Sequence, residues 1–209
     1  MPDVPQRLIQ PKLLIGEGHE EVVFFSAFLK HLGINDVQIE DYRGKYRLHQ
    51  YFRALQLRPN FVQLRSLGIV RDADTDATSA FESVRDVLHD AGLAVPGASG
   101  QVAGVNVRVG VWIMPDGWSP GMLEDLCLTA VQNDPAMPCV NDYFTCSSHS
   151  GLPQPNNLAK ARVHAWLASR VEPDLRLGEA AEKGYWPWES SAFEPLKSFF
   201  QTLYAAAIT

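Results

Sequence analysis

Short apolar runs and helical stripes alternate along the first two thirds of the chain. Leu13-Leu14-Ile15 reads as a buried strand that stops at Gly16-Glu17-Gly18, and Val22, Phe25, Phe28, Leu29 and Leu32 then recur at helical spacing. Gly33 marks the end of that helix, Val37 to Tyr42 reads as a second strand, and Leu48, Tyr51, Phe52 and Leu55 form the face of a second helix closed by Pro59. The third strand, Leu67-Gly68-Ile69-Val70, runs into Arg71-Asp72-Ala73-Asp74-Thr75-Asp76, and its helix carries Ala77, Phe81, Val84, Leu88 and Ala91. After the loop Pro96-Gly97-Ala98-Ser99-Gly100, a fourth strand spans Val107 to Ile113 and breaks at Pro115-Asp116-Gly117. Leu123, Leu126, Cys127 and Ala130 mark the helix that follows.

Strands separated by crossovers of helical length pair in parallel, and a parallel sheet is covered by helices on both faces. The expected fold is therefore a Rossmann-like α/β domain with a four-stranded parallel sheet. Its core runs over about residues 10–131. Beyond Gln132 the alternation stops. Asn133-Asp134-Pro135, Pro138 and Ser150 to Asn156 give loop signals around a short segment at Val140 to Cys146. Asn157 is placed to cap a helix running to Ser169, and Phe193, Leu196, Phe200 and Leu203 form the stripe of a last helix. This part, about 132–209, is expected to be a helical extension covering the sheet within a single domain of residues 1–209.

Composition narrows the class. With 209 residues, 46% of them hydrophobic, the chain has material for a sizeable core. No apolar run reaches the length of a membrane span, and the first residues show no charged and apolar signal pattern, so a cytoplasmic protein without membrane attachment is expected. Three cysteines without a Cys-x-x-Cys pair fit a reducing compartment. The net charge of −6 disfavours a simple nucleic-acid coat, yet Arg43, Lys45, Arg47, Arg53, Arg58, Arg65 and Arg71 fall in one stretch without a single acid. That stretch is either a phosphate-facing patch or a basic surface balancing acids elsewhere.

Ligands of parallel sheets bind at the carboxyl ends of the strands. Those ends carry Glu17, Asp72 and Asp74, and Asp116. Glu21 lies one helical turn after Glu17 on the same face. Carboxylates crowded on one rim repel unless some protonate or a cation is bound, and Mg2+ or Mn2+ with oxygen ligands answers that need. Taken singly, each acid has a plainer role: Glu20 and Glu21 as a solvated first turn, Asp76 as a helix cap, Glu124 and Asp125 as helix-start charges. Asp72, Asp74 and Asp76 imitate a calcium loop, but Ala77 stands where an EF-hand needs glycine. Thr75 is displaced from the Asp-x-Asp-x-Thr pattern of haloacid-dehalogenase phosphatases, and P-loop, Gly-x-Ser-x-Gly and zinc patterns are missing from the sequence. His19 lies beside the rim and reads best as a surface histidine.

The set Leu14-Ile15-Gly16-Glu17-Gly18 with Glu21, followed by Ile69-Val70-Arg71-Asp72-Ala73-Asp74, resembles the Toprim domain of topoisomerases, primases, small ribonucleases and OLD-family nucleases. Met114-Pro115-Asp116 and Gly121-Met122-Leu123-Glu124 resemble a branch of compact Toprim-like proteins related to the OLD nucleases. The resemblance implies a Toprim-like sheet between helices and magnesium-dependent cleavage or transfer at a nucleic-acid phosphodiester. It implies acid-base or metal-binding work for Glu17 and metal binding for Asp72 and Asp74, while Glu21 stands where many members have Asp. Asp116 and Glu124 are the candidates for a second ion, and Lys160, either a stabiliser of transition-state charge or an ordinary helix lysine, completes the set. The expected partner is DNA or RNA. A non-catalytic binding or regulatory module working with a separate ATPase is the reading from a different class, and a homodimer is left open.

Overall fold

The computed structural model describes residues 7–44 and 46–205. Lys45, one of the basic residues singled out above, lies outside the described residues. The chain runs β1 (Lys12–Gly16), α1 (His19–His31), β2 (Val37–Asp41), α2 (Leu48–Gln56), β3 (Ser66–Asp72), α3 (Ala77–Asp90), β4 (Val102–Ala103), β5 (Arg108–Met114) and α4 (Leu123–Ala130). Four further helices follow, α5 (Met137–His149), α6 (Leu158–Leu167), α7 (Leu177–Glu182) and α8 (Glu194–Tyr204).

The sheet has the order β2-β1-β3-β5-β4. Its four long strands are mutually parallel, as the alternating pattern requires. A fifth strand, the two-residue β4, adds antiparallel to the edge of β5. Two residues are too few to write a period into a sequence, which is why that strand went unread.

Successive residues of each strand feed opposite cores. Leu13, Ile15, Leu67, Ile69, Val109, Val111 and Ile113 point to the face covered by α2 and α3. Leu14, Val70, Trp112 and Met114 point to the other face, where α1, α4, the C-terminal helices and the loop after α7 supply Phe24, Phe25, Phe28, Leu126, Trp166, Trp186 and Phe200. The expected helical cover is therefore present, and it shares a core with α1.

Two of the C-terminal helices were not read from the sequence as such. Pro138 sits in the first turn of α5, where its missing amide leaves no hydrogen bond unmade, so the proline begins the helix instead of interrupting it. Helix α7 has only six residues, too short for a stripe. Asn157 does cap α6, accepting the Lys160 amide at 2.8 Å.

Helix α8 lies directly on the sheet because two glycines leave room for it. Gly68 of β3 and Gly110 of β5 are register partners. A Cβ on Gly68 would stand 2.6 Å from the Tyr204 hydroxyl and 2.8 Å from Leu14, and one on Gly110 would stand 2.8 Å from the Phe199 ring. The same helix is pinned by polar bonds: the buried Tyr204 hydroxyl donates to the Leu13 carbonyl at 3.0 Å, and Ser66 donates to the Leu203 carbonyl at 3.2 Å. Gly68→Val is expected to cost about 1–3 kcal/mol or more through this overpacking. Urea unfolding measures it, and an unchanged midpoint would mean that α8 does not rest on the glycine pair.

Candidate functional site

The site forms where β1 and β3 end beneath the first turns of α1 and α4. Gly16 closes β1 without a side chain, and a Cβ there would meet that of Glu21 at 2.9 Å, so the glycine lets the first turn of α1 fold down onto the strand end. Helix α1 then starts at Gly18, whose amide donates to Glu21 Oε2 at 3.0 Å. On the neighbouring strand, Asp72 is the last residue of β3, and its Oδ1 accepts the Leu123 amide at the start of α4 at 3.1 Å. The carboxylates thus sit at the positive ends of two helices, the place where backbone dipoles favour negative charge.

Electrostatics show which acids share this ground. Burial pushes Asp72 up to about 8, and the negative charges of Glu21, Glu124 and Glu17 add to the rise. Burial likewise raises Glu21, with Glu124 adding to it, while hydrogen bonds from its own and Gly18's amides and the charge of Lys160 pull the other way. Glu124 is raised by burial and lowered by Lys160, whose ammonium stands 3.8 Å from its carboxylate. Glu17, Glu21 and Glu124 therefore all act on Asp72, and Lys160 acts on Glu21 and Glu124, the five coming from four separate segments of the chain.

Neighbouring acids divide cleanly between site and scaffold. Asp125 caps its own helix, accepting the Met122 amide at 2.9 Å, which leaves Glu124 as the acid of that turn that faces Asp72. Asp76 caps α3 by accepting the amides of Thr78 and Ser79.

Asp116 is not brought to the cluster in the way the sequence implied. Its carboxylate accepts the amides of Trp118 and Ser119 and the Ser119 hydroxyl, and although burial opposes them, these bonds hold it below the usual range. Asp116 shapes the turn after β5, at whose tip Trp118 is exposed.

Asp74 also departs from expectation. Two residues after Asp72, it would share its side of a continuing strand, but its φ of 52° breaks the strand. Its backbone instead exchanges hydrogen bonds of 2.9 and 2.8 Å with Gly121, tying the loop after β3 to the loop before α4. The Asp74 side chain is exposed and borders a small hollow with Glu17, Arg43 and Arg47. Glu17 thus links this outer hollow to the inner cluster.

Tyr42 was missed. It follows the last residue of β2 and is buried, with Glu17, Arg71, Asp72 and Glu21 near enough for their charges to act on its hydroxyl. That hydroxyl has no hydrogen-bond partner among the described residues. The available signal was its position, an aromatic with a polar tip closing a strand on the ligand-binding rim.

Among the described residues, the arginines of the basic stretch do not form one patch. Arg58 pairs with Glu40 at 2.6 Å, Arg71 donates to Ser83, and Arg65 lies at the opposite end of the sheet, beside the start of β3. Arg53 stands apart with His49 and Asp90. Arg43 and Arg47 border the acidic rim.

The donor set fits a hard divalent cation: carboxylate oxygens, half-buried and mutually repelling, with a charge deficit that a cation would relieve. Among the described residues, no three Asp, Glu, His or Cys side chains stand close enough to hold one ion together, so joint coordination requires side-chain rotation.

These features define an α/β protein with an acidic rim at the switch between neighbouring strand ends. Residues 11–205 match the family described as Protein of unknown function (DUF3226), and the chain belongs to that family. Among solved structures, the C-terminal region of the OLD protein of Xanthomonas campestris pv. campestris is similar with a TM-score of 0.40 and 11% identity, over 92% of this chain and 85% of that one. No curated protein matches the chain.

The Asp72 carboxyl is raised from 3.8 to about 8, so the folded protein holds a proton that the unfolded chain releases. Its stabilising contribution is complete below about pH 4 and is lost as the pH rises to about 8. With metal chelated, Asp72→Asn is expected to flatten this decline and to exceed the wild type at pH 9 by up to about 5 kcal/mol. Urea titrations at pH 5 and pH 9 measure it; an Asn variant less stable at pH 9 than the wild type would contradict the assignment.

Proposed function

We propose that the protein is a divalent-metal-dependent nuclease, or a related phosphotransferase, acting on nucleic-acid phosphodiesters through a Toprim-like carboxylate site. The observation that carries this reading is the joint action of the Glu17, Glu21 and Glu124 charges on buried Asp72, the four acids coming from three segments onto one rim beside Lys160. The cluster holds Asp72 far from its ordinary range, and the Lys160 ammonium stands at its edge.

Glu21, Asp72, Glu124 and Glu17 are the residues that would hold Mg2+ or Mn2+. When bound, the cation would supply charge neutralisation on the phosphate oxygens and an activated water. Glu17, half-buried and bordering both the inner cluster and the outer hollow, is positioned to accept or return a proton at its carboxylate. The exposed ammonium of Lys160 is suited to charge that builds on the phosphate during the reaction. Asp72 must lose its proton before it binds a cation, so activity is expected to climb with pH through the neutral range.

Cleavage of labelled single- and double-stranded DNA and RNA with Mg2+ or Mn2+ tests the reading. Glu17→Ala and Asp72→Ala are each expected to lower the rate by at least about 100-fold with the fold retained. Metal-dependent cleavage that survives both substitutions would remove this site from the reaction. Metal binding without cleavage of any substrate would point instead to a binding or regulatory module that works with a partner such as an ATPase.

A further inference from the structure

A cavity of about 800 Å3 opens beside the acidic rim, between β2 and α2. Its size falls within the roughly 300–1,000 Å3 of sites that enclose small molecules. Arg43 and Arg47 line it, and the same two arginines line the hollow that holds Glu17 and Asp74. The two spaces therefore meet at a pair of guanidinium groups.

The turn that carries Arg43 has an unusual backbone. Arg43 has a φ of 59° and Gly44 a φ of 105°, so an arginine occupies a backbone conformation that L side chains rarely adopt. The turn is fastened to the site, because the Gly44 amide donates to the Glu17 carbonyl at 2.9 Å. The Arg43 side chain is 74% exposed and stands 3.8 Å from the Asp41 carboxylate, a surface pairing of little worth that a phosphate can displace.

The cavity wall offers what a nucleobase needs. Tyr51 presents an aromatic ring, fixed by its hydroxyl bond of 2.6 Å to Glu40 and by the Arg58 guanidinium 5.1 Å from its centre. Gln50 adds an amide for a base edge.

We propose that this cavity seats one unpaired nucleotide, with its phosphate between Arg43 and Arg47 and its base against the Tyr51 wall, so that the adjoining phosphodiester falls on the carboxylate rim. The substrate class is then single-stranded nucleic acid, or a strand end that has opened. A base in a duplex is stacked and paired and cannot enter a recess beside the backbone path, whereas an unpaired base can turn into it. The inference rests on the nuclease reading for the role of the rim, but the cavity binds its nucleotide without any metal.

Binding of fluorescein-labelled single-stranded DNA and RNA decamers and of a blunt duplex, followed by anisotropy with metal chelated, tests it. Single strands of at least one type are expected to bind about tenfold tighter than the duplex at equal salt. Replacing both Arg43 and Arg47 with Ala should weaken that binding at least tenfold and make its dependence on salt shallower by about one unit of the log-log slope. Ala54 lines the cavity on the exposed side of α2, so Ala54→Trp fills the space without entering the core. It should abolish the single-strand preference at an unchanged melting temperature. Equal affinity for duplex and single strand in the wild type, or single-strand binding untouched by Ala54→Trp, overturns the proposal. Selective binding with no metal-dependent cleavage would leave it standing while removing the nuclease reading, and cleavage of duplex without single-strand preference would do the reverse.

Discussion

Repulsion among like charges at the ends of two adjacent strands is the constraint that organises this molecule's rim. Glu17, Glu21, Asp72 and Glu124 are held near one another in half-buried surroundings, and without help that arrangement would be strongly unfavourable. The fold supplies part of the help. Helices α1 and α4 both begin at this point, and their first amides donate to Glu21 and Asp72. Lys160 contributes a positive charge from α6. What stays uncompensated appears in Asp72, which gives up its charge until the solution is mildly alkaline.

The rest of the structure holds those strand ends in place. Strands β1 and β3 are central and buried on both faces, so neither can shift to relieve the crowding. Helix α8 reaches the sheet only because Gly68 and Gly110 lack side chains, and Gly16 performs the same service for the first turn of α1. Each of these glycines carries a negative or ordinary backbone conformation. Their value lies in the space they leave.

Much of this was legible in the sequence because it is written in periods. The four parallel strands and the helices between them follow from apolar spacing, Glu17 and Asp72 from placing strand ends on one rim, Glu21 from its place one turn after Glu17, and Glu124 from the Toprim-like resemblance. Spacing could not say where a carboxylate points once the chain leaves regular structure. Asp74 departs from Asp72 because its backbone turns left-handed to pair with Gly121, and Asp116 is consumed by the turn it stabilises. The resemblance favoured Glu124 over Asp125, and the Met122 amide supplies a physical reason by engaging Asp125 as the cap. The basic stretch was misleading as a unit, since strand and helix geometry sends its arginines to different faces and leaves Arg43 and Arg47 at the rim. Tyr42 could be read only as a strand end, because burial of its hydroxyl beside the acids arises from tertiary packing.

The central claim is that these carboxylates converge on a place for a cation. Anomalous diffraction from crystals soaked in Mn2+ at pH 8.5, where Asp72 is ionised, addresses it most directly. The account predicts a peak about 2.0–2.2 Å from oxygens of Asp72 and at least one of Glu17, Glu21 and Glu124. A crystal that takes up manganese elsewhere, with Asp72 still hydrogen-bonded to Leu123 and no density among the four acids, would contradict it.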